Sequence, residues 1–280
     1  MSSSKPLDNF PFVRSRSVEE VREAMARVYA KPLLVPVRGI AELDATINRC
    51  HLPHTALLFS SYGVAVELDY PTTKFFSLLV PLRGSGEMSC GRTEVALPPG
   101  TSAVASAGVS HKANYGADYQ HLILQIDADV LTSKLASMTA AAINEPLRIA
   151  PQANVKHPAA QMLQQYIPLL ADTLSAADPP FPTWWIEQTE QLLMTLLLFG
   201  YRHNYSHLIE QDAPNAAPWH VRRAEEYIEA NADRALSLEE LADLTGVSAF
   251  SLFSSFRKYR GYSPWAFHAQ MRLKRGLASR

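Results

Sequence analysis

The outer face of one short predicted helix near the carboxyl end carries side chains suited to contact with nucleic acid. In the stretch after Ser248, Leu252 and Phe256 lie one helical turn apart and are expected to face inward. Aromatic rings on the solvent side of a helix are unfavourable unless something covers them, and thymine methyl groups in the DNA major groove are suitable apolar partners. The side chains left on the outer face are Ala249, Phe250, Phe253, Ser254 and Arg257.

We predict that Phe250 and Phe253 contact bases. Ser254 can form hydrogen bonds with several bases, so it is expected to discriminate weakly between them. The alternative for either ring is packing against a neighbouring helix or against the first domain, because aromatic side chains are usually buried.

A run of cations follows without any acidic residue between them. The last 24 residues hold seven, which are Arg257, Lys258, Arg260, Arg272, Lys274, Arg275 and Arg280. A basic run of one sign suits phosphate contact, whereas a merely solvated surface usually mixes both signs. We predict phosphate contacts for the first three, and both interpretations stay open for the rest. The full predicted DNA-contacting set is Ser248, Ala249, Phe250, Phe253, Ser254, Arg257, Lys258, Arg260 and Ser263.

Two helices joined by a tight turn are expected to position this face. Ser237 can accept hydrogen bonds from the free amides of a helix start, and Gly246 can adopt the positive φ that ends a helix in a sharp turn. Ser248 can cap the next helix, and Pro264 fits the first position of a third. The pattern predicts a helix-turn-helix, whose second helix enters the major groove of DNA.

Residues 246–278 resemble the first helix-turn-helix and the start of the linker helix in the AraC/XylS family of bacterial transcription regulators. The matching residues are Leu241-Ala242, Gly246-Val247-Ser248, Leu252, Phe256, Gly261, Ser263-Pro264, Phe267 and Arg272-Leu273. The resemblance implies base-facing positions for Phe250, Phe253 and Ser254, and a long helix leading to a second helix-turn-helix. The sequence ends before that second unit, so weak specific binding is expected. A shortened product of an ordinary regulator and a naturally truncated protein that titrates its full-length relatives both remain open.

The composition is that of a folded protein with an uneven charge distribution. The 280 residues are 47% hydrophobic and 19% charged, which excludes a disordered chain and leaves room for two domains. The formal net charge is -1, yet residues 219–280 hold 10 Lys and Arg against 7 Asp and Glu, as expected of a DNA-binding segment. Cys50 and Cys90 are too few for a disulfide framework, and the amino terminus lacks a signal-peptide core. We therefore expect a cytoplasmic protein with reduced thiols.

Short apolar segments separated by Gly, Pro and Asp fill residues 33–127, a pattern that predicts a β-sandwich or small barrel. Residues 78–111 resemble a cupin-like jelly roll of the type that senses effectors in AraC/XylS regulators. The expected class is α+β. The predicted domains are a cupin-like sensor in 1–150, a helical dimerisation segment in 151–207, a linker in 208–218, and a partial helix-turn-helix domain in 219–280.

A cupin could instead be a metal-dependent enzyme with a helical tail, which is the rival interpretation. Cupin metal sites need two closely spaced His, a carboxylate and a further His. Glu87 has no nearby His pair, and His111 and His121 stand alone in the sequence. The sequence also lacks a Ser-His-Asp spacing, a Gly-rich phosphate loop and an H-E-x-x-H motif. We therefore expect a binding barrel without metal, cofactor or catalysis.

Apolar side chains inside the barrel could form the wall of a pocket for a small effector. The candidates are Phe59, Tyr62, Phe75, Phe76 and Met88, although core packing is the more ordinary role of each. Arg38, beside the flexible Gly39, could bind a carboxylate through two hydrogen bonds or form an internal salt bridge. The resemblance is closest to the branch of the family that senses aromatic carboxylic acids, and it implies that Arg38 responds to the effector.

Two helical stretches, 158–174 and 183–205, are expected between barrel and helix-turn-helix. The second is too short and too charged at its start to cross a membrane. The resemblance implies that such helices dimerise, and a homodimer would place two recognition helices on one DNA. The sequence thus predicts an effector-controlled regulator of double-stranded DNA, with RNA polymerase as a further candidate partner. A truncated regulator that acts through mixed dimers without DNA is the other alternative.

Overall fold

The computed structural model describes residues 5–29, 32–37, 42–139, 141–152, 157–178, 180–210 and 218–278. The chain divides into two compact units. The first comprises Met1–Leu135 and Ile143–Ser206, and the second comprises Ala136–Ala142 and His207–Arg280.

The strands of the first unit form two antiparallel sheets. In chain order, the strands within the described residues are β1 (Pro11–Ser15), β2 (Leu33–Pro36), β3 (Ala45–His51), β4 (Thr55–Ser61), β5 (Val66–Tyr70), β6 (Phe75–Arg83), β7 (Gly86–Cys90), β8 (Thr93–Ala96), β9 (Ala103–Ala105), β10 (His111–Tyr115) and β11 (Gln120–Asp127). The larger sheet has the order β1-β3-β4-β11-β6-β9, and the smaller has the order β2-β5-β10-β7-β8. Both sheets contribute to one buried apolar cluster, for example through Ile123 and Met88. The predicted α+β class, with a strand-rich amino-terminal domain followed by helices, is confirmed.

Burial patterns distinguish the two sheets. In β10 of the smaller sheet, His111, Ala113 and Tyr115 are buried while the residues between them are exposed, as in a strand with one face in water. In the larger sheet β4 is buried along its whole length. The helix formed by Pro158–Ala176 packs against β11 of this sheet, and the central strands β4 and β11 are buried on both faces.

The helices, within the described residues, are α1 (Val18–Ala26), α2 (Ala128–Thr139), α3 (Pro158–Ala176), α4 (Thr183–Gly200), α5 (Ser206–Glu210), α6 (Trp219–Ala230), α7 (Leu238–Thr245), α8 (Ala249–Arg260) and α9 (Pro264–Ala278). In the first unit α3 and α4 pack closely, because a Cβ atom on Gly200 would lie only 2.7 Å from the backbone nitrogen of Ala160. Leu193, Met194 and Leu197 make α4 the buried helix that its sequence predicts. It ends at Gly200 instead of residue 205, since Tyr201 adopts an extended backbone.

None of the described helices combines the length and apolarity that crossing a lipid bilayer requires. In the second unit α6, α7, α8 and α9 surround a separate apolar core. Ile228, Leu241, Leu252 and Phe256 are fully buried there. Four short helices around a shared core hold each other in fixed orientations, which determines what α8 presents outward.

Candidate functional site

The turn between α7 and α8 has the local structure that its sequence predicts. The Ser237 hydroxyl accepts a hydrogen bond from the Glu240 amide at 3.0 Å, and Gly246 ends α7 with a φ of 64°. The Ser248 hydroxyl then accepts from the Ser251 amide at 3.2 Å, so it caps α8. Each cap satisfies an amide that a helix start leaves without a partner.

The outer face of α8 brings most of the predicted DNA-contacting residues together. Phe250 is 81% exposed, and Ser254, Arg257 and Lys258 are exposed on the same side of the helix. Ala249 and Phe253 are half-buried, and Phe253 does not belong to the buried core of the unit. On this surface the solvent-exposed ring of Phe250 lies beside the cations Arg257 and Lys258.

Arg260, one of the predicted phosphate contacts, forms an ion pair inside the second unit. Its guanidinium donates two hydrogen bonds, of 2.6 and 2.8 Å, to the carboxylate of Glu225 on α6. The Glu225 carboxylate raises the pKa of Arg260 and compensates its charge. Arg260 therefore joins α8 to α6 instead of standing free for a phosphate. Ser263 is likewise used inside the unit, because its hydroxyl accepts from the Ala266 amide at the start of α9.

A second polar network joins α6 to α7, and it was not predicted from the sequence. The Tyr227 hydroxyl donates to the Glu240 carboxylate at 2.7 Å, and Arg234 donates to both the Tyr227 hydroxyl and the Glu240 carboxylate. The Arg234 and Tyr227 hydrogen bonds lower the pKa of Glu240 to about 2. The network fixes α7, the helix on which α8 rests.

In the first unit the predicted pocket residues lie in different places. Tyr62 and Met88 belong to the buried cluster between the sheets, and Phe75 packs against its edge. Phe59 is fully buried but outside this cluster. Side chains alternate along a strand, so Phe59 faces away from the barrel interior when Leu58 faces it. Phe76, another predicted pocket residue, also faces away from the barrel interior, because it alternates with Phe75. Arg38 lies outside the described residues.

Polar rings occupy the interior near Tyr62 and Met88. The ring centroid of Tyr115 lies 4.5 Å from that of Tyr119 and 4.8 Å from that of His121. His121 is fully buried, and burial lowers its pKa to about 3. Among the described residues, neither ring nitrogen of His121 has a hydrogen-bond partner, and the Tyr119 hydroxyl also lacks one. Neutral polar groups buried without partners are costly, so this interior suits a polar guest or water.

Three of the cavities in the described part of the first unit bear on effector binding. One of about 330 Å³ is lined by Ser85, Gly86 and Tyr115 among others, at the end of the barrel that holds the polar rings. One of about 150 Å³ is lined by Arg49, Phe75 and Gln125 among others. The largest, of about 640 Å³, lies outside the barrel between the turn after β3 and the helices α3 and α4. A drug-sized pocket usually measures 300–1,000 Å³, so two of these cavities are in that range and the 150 Å³ cavity suits only a smaller molecule.

The side chains that the structure describes include no group of three or more His, Cys, Asp or Glu arranged to hold a metal ion. His111 is stacked on Tyr70, with ring centroids 4.6 Å apart, and burial lowers its pKa to about 4. Within the described part of the chain the barrel thus offers neutral rings where a cupin metal site would need several converging donors.

Comparisons with known proteins fit this architecture. A family model described as the AraC-binding-like domain matches residues 21–198. The chain is similar to the solved structure of the AraC-like transcriptional activator CuxR, with 15% identity and a TM-score of 0.50 over 96% of this chain and 94% of that one. It also matches a cupin superfamily protein from Desulfitobacterium hafniense DCB-2, with 10% identity, a TM-score of 0.26, and coverage of 35% of this chain and 80% of that one. KdgF from Halomonas sp. matches with 13% identity and a TM-score of 0.28, over 33% of this chain and 93% of that one.

No curated protein sequence matches the chain. The family match covers most of the strands together with α3 and most of α4. The expected cupin-like antiparallel β-sandwich followed by helices is confirmed.

Proposed function

Because the chain belongs to the family defined by the AraC-binding-like domain, we propose that it is a transcription regulator that binds double-stranded DNA through α8 and responds to a small molecule bound in its amino-terminal barrel. The one observation that carries the DNA-binding part is the exposure of Phe250, 81% of whose surface meets solvent beside Arg257 and Lys258. An exposed ring flanked by exposed cations can be covered by a partner that offers both apolar and anionic groups. DNA offers apolar thymine methyl groups to the ring and phosphates to the cations.

The electrostatic part of this proposal predicts a particular salt dependence. Each phosphate contact contributes about -0.9 to the slope of log K against log salt concentration for duplex DNA. Replacing Arg257 and Lys258 together by Ala should therefore make the slope shallower by about 1.8. The measurement is fluorescence anisotropy with a labelled random-sequence duplex over a series of salt concentrations. No knowledge of the operator is needed, since phosphate contact does not depend on sequence.

The matched control replaces Arg92 and Lys112 by Ala. Both are exposed cations on strands or turns of the first unit, so they should leave the slope unchanged. An Arg257/Lys258 double variant with the slope of the wild-type protein would refute DNA binding through α8. A control double variant that lost as much slope would show that the effect follows net charge alone.

The effector part of the proposal is supported by the polar interior of the barrel. Tyr119 and His121 present buried groups that have no partner within the described part of the chain, and Tyr62 and Met88 supply apolar surface nearby. Following the resemblance of the sequence, we propose an aromatic carboxylic acid as the effector. A thermal-shift panel of such acids tests this, because a ligand at a hundred times its dissociation constant adds about 2.7 kcal/mol of stability. Binding, and not catalysis, is the proposed role of the barrel, and stoichiometric metal in the purified protein would oppose it.

A homodimer is proposed through the outer face of α3. Met162 and Leu169 are 48% and 60% exposed, and with Tyr166 they form an apolar stripe at helical spacing. Replacing Leu169 by Glu should dissociate the dimer, as measured by light scattering after size-exclusion chromatography. Gln188→Glu introduces the same charge at an exposed position of α4 and should leave the dimer intact.

We place the regulator in the cytoplasm, with RNA polymerase as a further proposed partner.

A further inference from the structure

The geometry points to a carboxylate-binding site built on Arg49, in the 150 Å³ cavity of the barrel that also contains Phe75 and Gln125. This inference rests on the proposed effector binding in the barrel and places the carboxylate of an acidic effector toward the opposite end of β11 from His121. Arg49 was not among the sequence candidates, and it is distinct from Arg38.

Arg49 faces the barrel interior. It lies directly opposite Leu58 across the β3–β4 pair, and residues in direct register on neighbouring strands share one face. Leu58 belongs to the buried cluster between the sheets. The side chain of Arg49 consequently enters the barrel from the larger sheet.

The guanidinium of Arg49 is unusual because nothing in the described part of the chain neutralises it. Its side chain forms no ion pair and no hydrogen bond with the described residues, and its Nε atom is buried without a partner. Arg49 as a whole is half-buried, and a partly desolvated cation is stabilised by a counter-charge. By contrast, Arg260 and Arg234 of the second unit are each paired with a carboxylate.

The surroundings of Arg49 favour a flat acid over a simple inorganic anion. Phe75 is half-buried, and its ring meets that of Tyr29 edge-on at a centroid distance of 5.5 Å. Ala56 contributes only a methyl group to the wall. A planar apolar body can therefore pack beside Phe75 while its carboxylate approaches the guanidinium.

Gln125 supplies a second polar group of the right kind. Its amide nitrogen donates one hydrogen bond of 2.9 Å to the Tyr29 hydroxyl, and the same nitrogen carries a second hydrogen. Burial raises the pKa of Tyr29 to about 12, while the Gln125 hydrogen bond and the Arg49 charge act in the opposite direction. Arg49, Gln125 and Tyr29 thus lie close enough to influence one another.

Asp127 is the one carboxylate in the described lining of this cavity. It does not pair with Arg49, since no contact between them falls within ion-pair distance. Its Oδ1 atom instead accepts hydrogen bonds from the amides of Asp129 and Val130, at 2.9 and 3.2 Å. These two amides at the start of α2 offset the Asp127 charge, which leaves the Arg49 charge for a ligand.

The cavity limits the size of the acid. Its volume of about 150 Å³ corresponds to about five water molecules at roughly 30 Å³ each. A carboxylate on a single ring is compatible with this volume, whereas a long-chain acid is not. Benzoate is therefore the probe of choice, and benzamide is its neutral counterpart of nearly the same shape.

The experiment is isothermal titration of the full chain with benzoate and with benzamide. The wild-type protein should bind benzoate at least tenfold more tightly than benzamide. Arg49→Gln should weaken benzoate binding by about tenfold to a hundredfold and leave benzamide binding unchanged, because a hydrogen bond to a charged group is lost. Arg92→Gln removes an exposed arginine of the same unit and should bind benzoate like the wild type.

Two results would overturn the site. One is equal affinity of the wild-type protein for benzoate and benzamide, including the absence of binding by both, and this result needs no variant to fold. The other is an Arg49→Gln protein, folded by circular dichroism, that binds benzoate as tightly as the wild type. In the second case barrel binding would survive without Arg49. Conversely, Arg49-dependent benzoate binding by a protein without affinity for DNA would support this site and refute the proposed regulator.

Discussion

Arg260 and Glu225 form a two-point ion pair that joins the end of α8 to α6, with N–O distances of 2.6 and 2.8 Å. The two residues are 35 positions apart in the sequence, and both side chains are mostly shielded from solvent. A planar guanidinium matched to a carboxylate in this way fixes orientation as well as distance. The pair therefore sets the angle at which α8 leaves the core of the second unit.

Loss of this pair should destabilise the second unit without removing a DNA contact. Glu225→Ala leaves the Arg260 guanidinium partly buried and unpaired, so the free energy of unfolding should fall by about 2 kcal/mol. Urea denaturation followed by circular dichroism measures the change. Glu226→Ala serves as the control, because Glu226 is its exposed neighbour on the same helix. Equal stability of the two variants would mean that the pair contributes nothing.

Phe250 should determine sequence preference and not general affinity for DNA. Its ring touches no part of the buried core, so Phe250→Ala should leave the unfolding transition unchanged. Specific binding should weaken by about 1–3 kcal/mol, the usual effect of losing one base-pair contact. The measurement compares a site obtained by in vitro selection with a random duplex. The control Trp184→Ala removes a 65% exposed ring of α4 and should change neither specific binding nor binding to the random duplex. A loss of random-duplex binding by Phe250→Ala would contradict a base-reading role.

Glu190 should anchor α4 to the turn before β4. One of its carboxylate oxygens accepts two hydrogen bonds of 2.9 Å, from the His54 amide and the Thr55 hydroxyl, and the residue is fully buried. Glu190→Ala leaves both donors unsatisfied and should lower stability by about 2–3 kcal/mol. Glu190→Gln keeps an acceptor oxygen and should cost less. Glu187→Ala, at an exposed position one turn earlier, is the control in the same urea titration.

Features governed by local chemistry were predictable from the sequence. The caps by Ser237 and Ser248 and the positive φ of Gly246 depend only on neighbouring residues, and all three are confirmed. The missed helix α1 carried a similar signal, since the Ser17 hydroxyl accepts from the Glu20 amide. Amphipathic spacing likewise identified Leu252 and Phe256 as core residues.

Features that depend on distant partners were not predictable. Nothing near Arg260 indicates that Glu225 will neutralise it, so a phosphate contact was the natural expectation. Phe59 lies in a strand that is apolar on both faces, and in such a strand the alternation that identifies the inner face disappears. Arg49 stands among polar neighbours in the sequence, and only the register of β3 with β4 places it inside the barrel.

The buried histidines of the barrel should make the first unit sensitive to mild acid. The folded-state pKa of His121, about 3, lies below the value of about 6.5 expected for an unfolded chain. Between these two pH values His121 is therefore protonated in the unfolded state and neutral in the folded state. Stability is fully present above about pH 6.5 and is lost as the pH falls toward 3. Between pH 6.5 and 5 the loss from His121 should amount to about 2 kcal/mol.

His121→Phe should remove this part of the dependence, because Phe fills the stack with Tyr115 and Tyr119 and carries no titrating group. The slope of unfolding free energy against pH between 6 and 5 should become shallower by about 1.4 kcal/mol per pH unit, the value for one proton. Urea titrations at several pH values measure it. His111, whose pKa of about 4 is also depressed by burial, should sustain a residual slope in this variant. The control His51→Gln replaces an exposed histidine and should keep the full wild-type slope. An unchanged slope in His121→Phe would mean that His121 accepts a proton in the folded protein.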